Sequence, residues 1–562
     1  MFKSILLATA LTTTLAGAAF AQADPGSYLA ARQADFGNDY EAAARYYQQA
    51  VLADPSNPML LEGTMAANLS LGNLDAAAPI ADAMISLGIE SQVANIVRSV
   101  QAGRTGNWVQ IFEALEQDHS VGPLVDGLSQ AWAHMGLGEV NKALMTFDEV
   151  IEAPGLRAYG LFHKAMALAS VGDYEGAEEI LSLSPEGGVR HNRRSAIALA
   201  QILSQLDRNS DAVALIDAVF GDRLDTRLIQ MRAALEAGDT LPYDTVRSAA
   251  DGLAEVYFMV GGALRGETPD GYTLLYVRAA QALRPNDTEI LLTAANLLDD
   301  LGRYEMSNAA YAQVSPDDPA YMEAEIGRAD ALRKADRLEA SIEVLQALSR
   351  LFPEEARIYA TKGDVLRRMD KEAEANAAYT TALDLYAPDD PAIWFVRYTR
   401  AITYFMLDQW PEAEADFRAA LAIRPEQPQV LNFLGYSLVE RGEKLPEALD
   451  MIERAVAAQP DNGAIVDSLG WVYFQLGRYQ DAVAPMERAA SLEPVDPVIN
   501  DHLGDVYWAV GREIEAQFQW NRALSFDPEE EEAIRIRRKL EVGLDAVLIE
   551  EGEDPIRVAS DD

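Results

Sequence analysis

The chain has 562 residues, 49% of them hydrophobic, so it carries enough apolar side chain for a folded core. Its 89 Asp and Glu against 46 Lys and Arg give a formal net charge of -43, which repels nucleic acid and anionic lipid and favours basic partners. This composition argues against a nucleic-acid-binding protein. Acidic surfaces also keep an extended helical protein soluble, so the charge alone leaves the partner open.

The N-terminus has the pattern of a secretory signal peptide over residues 1–21. Lys3 supplies the positive charge, residues 5–15 form an apolar core, and Ala19-Phe20-Ala21 is a small-x-small cleavage site, so the mature chain is predicted to begin at Gln22. The sequence contains no cysteine, hence no disulfide and no lipidated cysteine are expected. We therefore expect an exported, non-lipidated protein of the bacterial periplasm, without an integral membrane segment.

Residues 22–221 are predicted to form loosely spaced helical hairpins. Apolar residues recur there at helical spacing, and glycine-containing turns such as Leu71-Gly72-Asn73 separate the segments. The predicted helices include 28–38, 40–52, 58–71, 74–86, 193–205 and 210–220, with a further hairpin over 91–118 whose second helix opens at Trp108. A polar break is expected at residues 184–188.

Residues 222–285 form an irregular helical stretch. Helices can be placed between Asp222 and Thr268, but their hairpin register is not defined, and glycines interrupt the pattern at Gly252, Gly261 and Gly262. The stretch is either a hinge or internal boundary, or a set of diverged repeats. An enzymatic function, if the chain has one, would also lie here.

Residues 286–528 show the most regular pattern, which is clearest where Pro460, Pro494 and Pro528 follow one another at intervals of 34 residues. Before each proline, large and small residues alternate at fixed offsets; in the last unit these are Leu503, Gly504, Tyr507, Ala516, Trp520 and Ala523. A large residue facing a small one is what two antiparallel helices need to pack closely and to stack on an identical neighbour. A capping helix over 529–549 and an acidic, disordered tail over 550–562 are expected to follow.

This pattern resembles the tetratricopeptide repeat (TPR). The resemblance implies an all-α fold, a right-handed superhelical solenoid of roughly thirteen hairpins. The runs 431–436, 467–471 and 500–508 also resemble the C-terminal repeats of exported proteobacterial TPR proteins. Some of those relatives are lipoprotein adaptors that bring cell-wall hydrolases to carboxyl-terminal processing proteases, although this chain lacks their lipidated cysteine.

Motifs for catalysis or for metal binding were not found in the sequence. The five histidines, His119, His134, His163, His191 and His502, have no metal-ligand spacing. The sequence contains neither a phosphate-binding glycine loop followed by Lys and Ser or Thr nor a Gly-x-Ser-x-Gly nucleophile elbow. We therefore expect no catalytic, cofactor-binding or metal-binding residues, and no enzyme activity.

The TPR resemblance implies a protein-binding groove lined by the first helix of each hairpin. Its candidate residues are Phe395, Tyr398, Ile402, Phe405, Asn432, Tyr436, Asp467, Trp471, Phe474, Asp501, Asp505 and Trp508. Aromatic anchors beside carboxylates suit a partner segment with apolar residues next to Lys or Arg. Alternatively, Trp471 and Trp508 pack against the next repeat, Asp467 and Asp501 favour the helix N-terminus, and His502 packs between hairpins.

Two functions remain open from the sequence. The first is a periplasmic, non-enzymatic TPR scaffold or adaptor whose partners are a protease or other envelope enzymes, and which delivers cell-wall hydrolases to a processing protease. The second is a structural TPR subunit of an envelope polysaccharide-export or cell-wall synthesis complex. A groove that binds a partner would distinguish the first from the second.

Overall fold

The computed structural model describes residues 25–183, 188–189, 191–221 and 223–556. The predicted signal peptide, most of the predicted break at 184–188 and the last residues of the predicted tail lie outside this range. The chain divides into two compact units, Met1–Val344 and Leu345–Asp562. None of the described helices combines the length and the apolar character that crossing a bilayer requires.

The first unit consists of helices α1 to α18 and the first half of α19, within which the unit ends. Their bounds are α1 Pro25–Phe36, α2 Tyr40–Ala53, α3 Pro58–Ser70, α4 Leu74–Ser86, α5 Gln92–Thr105, α6 Val109–Glu116, α7 Pro123–Gly136, α8 Val140–Glu152, α9 Arg157–Ser170, α10 Tyr174–Leu181, α11 Arg193–Gln205, α12 Asn209–Phe220, α13 Thr226–Ala237, α14 Ala249–Leu264, α15 Asp270–Leu283, α16 Thr288–Asp300, α17 Tyr304–Tyr311, α18 Tyr321–Lys334 and α19 Leu338–Leu351.

The second unit continues with helices α20 to α31. Their bounds are α20 Ala356–Arg368, α21 Glu372–Leu385, α22 Ile393–Met406, α23 Trp410–Ile423, α24 Pro428–Glu440, α25 Leu445–Ala458, α26 Gly463–Gln475, α27 Tyr479–Leu492, α28 Pro497–Ala509, α29 Glu513–Leu524, α30 Glu530–Val542 and α31 Leu544–Glu551. The described residues are thus almost entirely helices and turns, and the predicted all-α fold is confirmed.

The hairpins form because a glycine of one helix lies against a large side chain of the next. A Cβ added at Gly504 would lie 2.4 Å from the Trp520 ring, and one at Gly470 would lie 2.5 Å from Met486. Only a residue without a side chain allows this approach of the two helices. The Leu-Gly and large-apolar positions of the repeat therefore meet across each hairpin, as predicted.

Helix ends follow the expected capping signals. Asn462 accepts a hydrogen bond from the backbone N–H of Ile465 at 3.0 Å, and Asp496 accepts one from Ile499 at 2.9 Å. These side chains satisfy amide groups that the first turn of a helix leaves without a partner. Pro460 and Pro494 are thus each followed, two residues later, by a side chain that caps the next helix.

In the second unit the first helices of successive hairpins lie side by side. α24 contacts α26, and α26 contacts α28, while α23, α25, α27 and α29 pack behind them as the second helices of their hairpins. We call α22, α24, α26 and α28 the inner helices. The predicted binding residues all lie on these four helices.

The irregular stretch of the first unit forms long-range contacts. α15 contacts α3 and α5, and α14 contacts α5, α7 and α9. A Cβ at Gly252 on α14 would lie 2.2 Å from the Trp132 ring on α7, and Tyr257 is completely buried. The α14–α15 pair therefore covers the first helices of the N-terminal hairpins and forms part of their core.

The C-terminal cap consists of two helices. The capping helix predicted over 529–549 is divided at Gly543, whose φ is +83°, into α30 and α31. Residues 550 and 551, which the sequence assigned to the tail, continue α31, and their carboxylates pair with Arg538 and Arg535. The cap thus extends further than expected.

Candidate functional site

The inner helices of the second unit enclose a groove of about 420 Å³. We call it the inner groove; it is lined by Phe405, Asn432, Phe433, Tyr436, Ser437, Ala464, Asp467, Ser468, Asp496, Val498, Ile499 and His502. Four of the twelve predicted binding residues, Phe405, Asn432, Tyr436 and Asp467, are brought together here.

One wall of the inner groove is apolar. The Phe405 ring lies 5.5 Å from the ring of Phe433, which in turn lies 5.1 Å from Phe417 in the core. On the other side, Val498 is 37% exposed and Ala464 is also exposed. Exposed apolar side chains that face one another across a concave surface form the usual anchor site for an apolar residue of a ligand.

One polar group of α24 is available to a ligand in this groove. The Asn432 Oδ1 atom is shielded from solvent and has no hydrogen-bond partner among the described residues. Polar atoms that are buried in this way usually have a partner, so Oδ1 is suited to accept a hydrogen bond from a ligand N–H. The Tyr436 hydroxyl already has a partner in Glu440, and burial together with the charge of Glu440 raises the pKa of Tyr436 well above its ordinary value.

Trp471 lies between two other rings and is 9% exposed. Its ring stacks on Phe474 at 4.8 Å and on His502 at 4.0 Å, and its Nε1 donates a hydrogen bond to Glu440 at 2.7 Å. Both faces and the polar edge of the indole are therefore occupied by the protein. This geometry matches the packing alternative for Trp471, with Phe474 as part of the same stack.

Asp467 forms an ion pair with His502 at the floor of the inner groove. The His502 Nδ1 atom is 3.0 Å and 3.2 Å from the two carboxylate oxygens, and Asp467 is only 5% exposed. Burial alone would lower the pKa of His502, but the charge and hydrogen bond of Asp467, together with the charges of Asp501 and Asp505, raise that pKa above its ordinary value. The predicted carboxylate thus faces a histidine of the same chain.

The predicted residues of the last inner helix are covered by the C-terminal cap. Asp501 and Asp505 accept hydrogen bonds from Lys539, and Trp508 Nε1 donates one to Asp545 at 2.8 Å. Asp505 is 1% exposed. These three residues therefore attach α30 and α31 to α28 and do not line the inner groove.

Three predicted residues lie further along α22. The Tyr398 ring is 6.1 Å from Phe417 and 6.4 Å from Phe433, and Ile402 packs against the same core. Phe395 is 45% exposed and lies beside Tyr398. They extend the aromatic surface of α22 outside the inner groove.

Sequence reasoning missed the lining residues at the beginning of the inner helices. Ala464 and Val498 are 34 residues apart, and each lies three residues before a predicted carboxylate, Asp467 or Asp501. Residues at this spacing share one face of a helix. Extending the predicted face by one turn toward each helix N-terminus would have included both.

The corresponding face of the first unit is filled by the chain itself. Arg194 donates hydrogen bonds from Nε to both oxygens of Glu255 at 2.9 and 3.1 Å, and Glu255 is 2% exposed. Arg278 donates from Nε to the backbone oxygen of Ser70, at the end of α3, at 3.0 Å. These buried polar contacts hold α14 and α15 on the N-terminal hairpins, and beside them lies a separate cleft of about 720 Å³ whose lining includes Phe162, Arg194 and Phe258.

The sequence model of the tetratricopeptide repeat family matches four segments of the chain. They are residues 28–91, 292–356, 361–428 and 434–497. The last two include all of the inner helices α22 and α26 and part of α24. They contain seven of the twelve residues that line the inner groove.

Two curated proteins are similar to parts of the chain. The TPR repeat-containing protein PA4667 of Pseudomonas aeruginosa is 31% identical over 173 residues, which are 31% of this chain and 28% of that protein. The protein O-mannosyl-transferase TMTC3 of Homo sapiens is 26% identical over 242 residues, which are 40% of this chain and 25% of that protein. The chain thus spans about a quarter of the length of each relative.

Among solved structures, the chain is similar to the APC/C hetero-tetramer Cut9–Hcn1, with 13% identity, a TM-score of 0.39 and coverage of 92% of this chain and 96% of that chain. It is also similar to yeast Tom70, with 14% identity, a TM-score of 0.34 and coverage of 94% and 97%. The family match covers less than half of the chain, and within these four segments it falls on hairpins with the large-and-small pattern of tetratricopeptide repeats.

Proposed function

We propose that the chain is a non-enzymatic scaffold that binds a segment of a partner protein in its inner groove. The observation that carries the proposal is an open apolar cleft beside Asn432, whose shielded Oδ1 atom has no partner in the part of the chain that the structure describes. An extended or helical segment supplies the N–H donor and the apolar side chain that these groups accept. TPR proteins bind protein partners, and the inner groove is the binding surface that we propose for this chain.

The proposed partner segment combines an apolar anchor with a basic residue. The apolar side chains of Phe433 and Val498 accept the anchor. The Asp496 carboxylate lines the inner groove, and the Glu440 carboxylate lies beside it. The chain as a whole carries a formal charge of -43, which attracts basic segments over longer distances. A basic neighbour to the anchor would therefore bind more tightly than an acidic one.

In this proposal the scaffold is exported and acts in the periplasm. The signal-peptide pattern and the resemblance to exported TPR adaptors support a role in delivering cell-wall hydrolases to a processing protease. The alternative, a structural subunit of an envelope polysaccharide-export or cell-wall synthesis complex, is favoured by the first unit. Its inner face is occupied by α14 and α15, which leaves outer surfaces for contacts with other subunits.

A pull-down from periplasmic extract tests the proposal. One bait is the mature wild-type chain, and another carries Ala464→Arg with Val498→Arg, which fill the inner groove from two exposed positions without disturbing the core. A matched control carries Ala484→Arg with Ile514→Arg, which add the same charge on the exposed faces of α27 and α29.

We expect the wild type and the control to recover the same partner, and the groove-filling variant to lose it. Recovery of a protease with cell-wall hydrolases would support the adaptor role. Equal recovery of export or synthesis components by all three baits would reject groove binding and favour the structural subunit.

A further inference from the structure

We propose that loss of the proton from His502 changes the floor of the inner groove from neutral to negative and so strengthens its binding of basic segments. This inference rests on the proposed function, because it concerns the same groove. It adds a means of control: the groove would bind its basic partner more tightly at higher pH.

The geometry places the titrating group in the wall of the groove. Both Asp467 and His502 line it, and the Nδ1 atom of His502 is 3.0 Å from the nearer Asp467 oxygen. The imidazole ring stacks on Trp471 at 4.0 Å with an angle of 14° between the planes. The ring is therefore fixed in position, so a change in its protonation alters the charge at the groove without requiring a movement.

The remaining charges around His502 are largely matched by other groups. The titratable side chains near His502 come from four helices, and Glu440 is linked to it by way of the stacked Trp471 ring. They are Asp467 from α26, Asp501 and Asp505 from α28, Tyr436 and Glu440 from α24, and Lys539 and Arg535 from α30. Lys539 bonds to both aspartates of α28, and Arg535 lies 3.7 Å from Asp505. Arg535 also pairs with Glu551 at 2.8 Å, so these two cations serve three carboxylates, and His502 is the group that neutralises Asp467.

This arrangement also sets the pH range of the change. Burial alone would lower the pKa of His502, but the charge and hydrogen bond of Asp467 together with the charges of Asp501 and Asp505 raise it above its ordinary value. His502 is then protonated in mildly acidic solution and loses its proton at a higher pH than a free histidine. A basic side chain of a ligand would compete with the protonated imidazole for Asp467. By linkage, binding of that ligand must lower the pKa of His502.

The chain itself supplies a suitable probe. Residues 534–540, Ile-Arg-Ile-Arg-Arg-Lys-Leu, alternate branched apolar and basic side chains, and Lys539 of this run already binds carboxylates of an inner helix. The experiment measures the affinity of this synthetic peptide, fluorescently labelled, for the full mature chain by anisotropy between about pH 6 and about pH 9. We expect the affinity to rise about tenfold over this range at constant ionic strength, because one charge is gained at the site.

Three variants test whether the pH dependence of the affinity comes from His502. His502→Gln keeps an amide donor for Asp467 but carries no charge, so it should bind the peptide tightly at both ends of the range. His134→Gln is the matched control, since His134 pairs with Glu139 in the first unit, and it should keep the wild-type pH dependence. The groove-filling pair Ala464→Arg and Val498→Arg should bind the peptide weakly at every pH.

The outcomes separate the two proposals. A wild-type affinity that does not change with pH, or a pH dependence that survives in His502→Gln, overturns the switch and leaves groove binding intact. If the groove-filling variant binds the peptide as well as the wild type does, or if the wild type does not bind it at all, groove recognition of basic segments fails and the switch fails with it.

A second measurement covers the case in which His502→Gln does not fold. Wild-type protein with ¹³C-labelled histidine has only five histidine signals to follow during a pH titration. We expect the peptide to lower the titration midpoint of one of them, which also changes in Asp467→Asn. An unchanged set of midpoints in the presence of bound peptide would overturn the switch.

Discussion

The Nζ atom of Lys539 lies 2.7 Å from both carboxylate oxygens of Asp505 and within 2.9 Å of both oxygens of Asp501. The Lys539 side chain is fully buried, and Asp505 also accepts a hydrogen bond from Trp520 Nε1 at 2.9 Å. One buried ammonium thus joins the C-terminal cap to the last inner helix. In the preceding repeat His502 takes the corresponding role toward Asp467.

Replacement of Lys539 should detach the cap. Lys539→Met removes the charge that neutralises Asp501 and Asp505, and removal of one partner of a buried ion pair costs about 3–5 kcal/mol. We expect a lower urea midpoint and faster hydrogen exchange in α30 and α31. Arg538→Met is the control, because its pairs with Glu541 and Glu550 lie at the surface and should leave the midpoint unchanged. Equal effects of the two substitutions would contradict the assignment.

The ion pair of His502 predicts how stability changes with pH. Its raised pKa means that the pair contributes its full stabilisation below the pKa of an unfolded histidine, about 6.5, and that this contribution is lost as the pH rises through the folded pKa. The stability difference between wild type and His502→Gln should therefore be largest in mildly acidic solution and shrink toward alkaline pH. Urea unfolding at a series of pH values measures it, and a difference that grows with pH would contradict this linkage.

Gly252 should be intolerant of any side chain. The Cβ of Gly252→Ala would lie 2.2 Å from the ring of Trp132, which is fully buried, and overpacking of this kind costs about 1–3 kcal/mol. Gly262→Ala on the same helix is the matched control, since nothing lies within 4 Å of its Cβ and alanine favours a helix by about 0.5–1 kcal/mol. Thermal unfolding should show opposite shifts for the two variants. A neutral Gly252→Ala would mean that α14 is free to move away from α7.

Truncation of Trp471 should mainly reduce the stability of the fold, because the ring packs within the protein. The ring is stacked on both faces, so Trp471→Ala should cost about 3–5 kcal/mol as other large aromatic truncations do. Trp471→Phe keeps the stacking and loses the hydrogen bond to exposed Glu440, a loss of about 0.5–1.5 kcal/mol. Urea unfolding compares the two with Phe395→Ala, which removes a 45% exposed ring and should have a small effect. Similar losses of unfolding free energy for all three variants would argue against the stacking of Trp471 between Phe474 and His502.

The periodic parts of the fold were predictable because their determinants are local. The predicted helices over 74–86 and 193–205 are α4 and α11 with the same bounds, since apolar spacing and capping residues lie within each segment. The predicted groove residues were identified from one face of each inner helix, and four of the twelve line the inner groove. Trp471, Asp501, Asp505 and Trp508 are instead occupied by neighbours whose approach depends on contacts far away in the sequence.

The sequence by itself determined the helical hairpins, because a large residue opposite a glycine or alanine at a fixed offset leaves one way for two adjacent helices to pack. Only the tertiary structure decided which faces remain open. The contact of Gly252 with Trp132, the burial of Lys539 and the pairing of His502 with Asp467 join segments that no periodic pattern relates. Such contacts depend on the complementary shape and charge of distant surfaces, which exists only once the hairpins have formed and stacked.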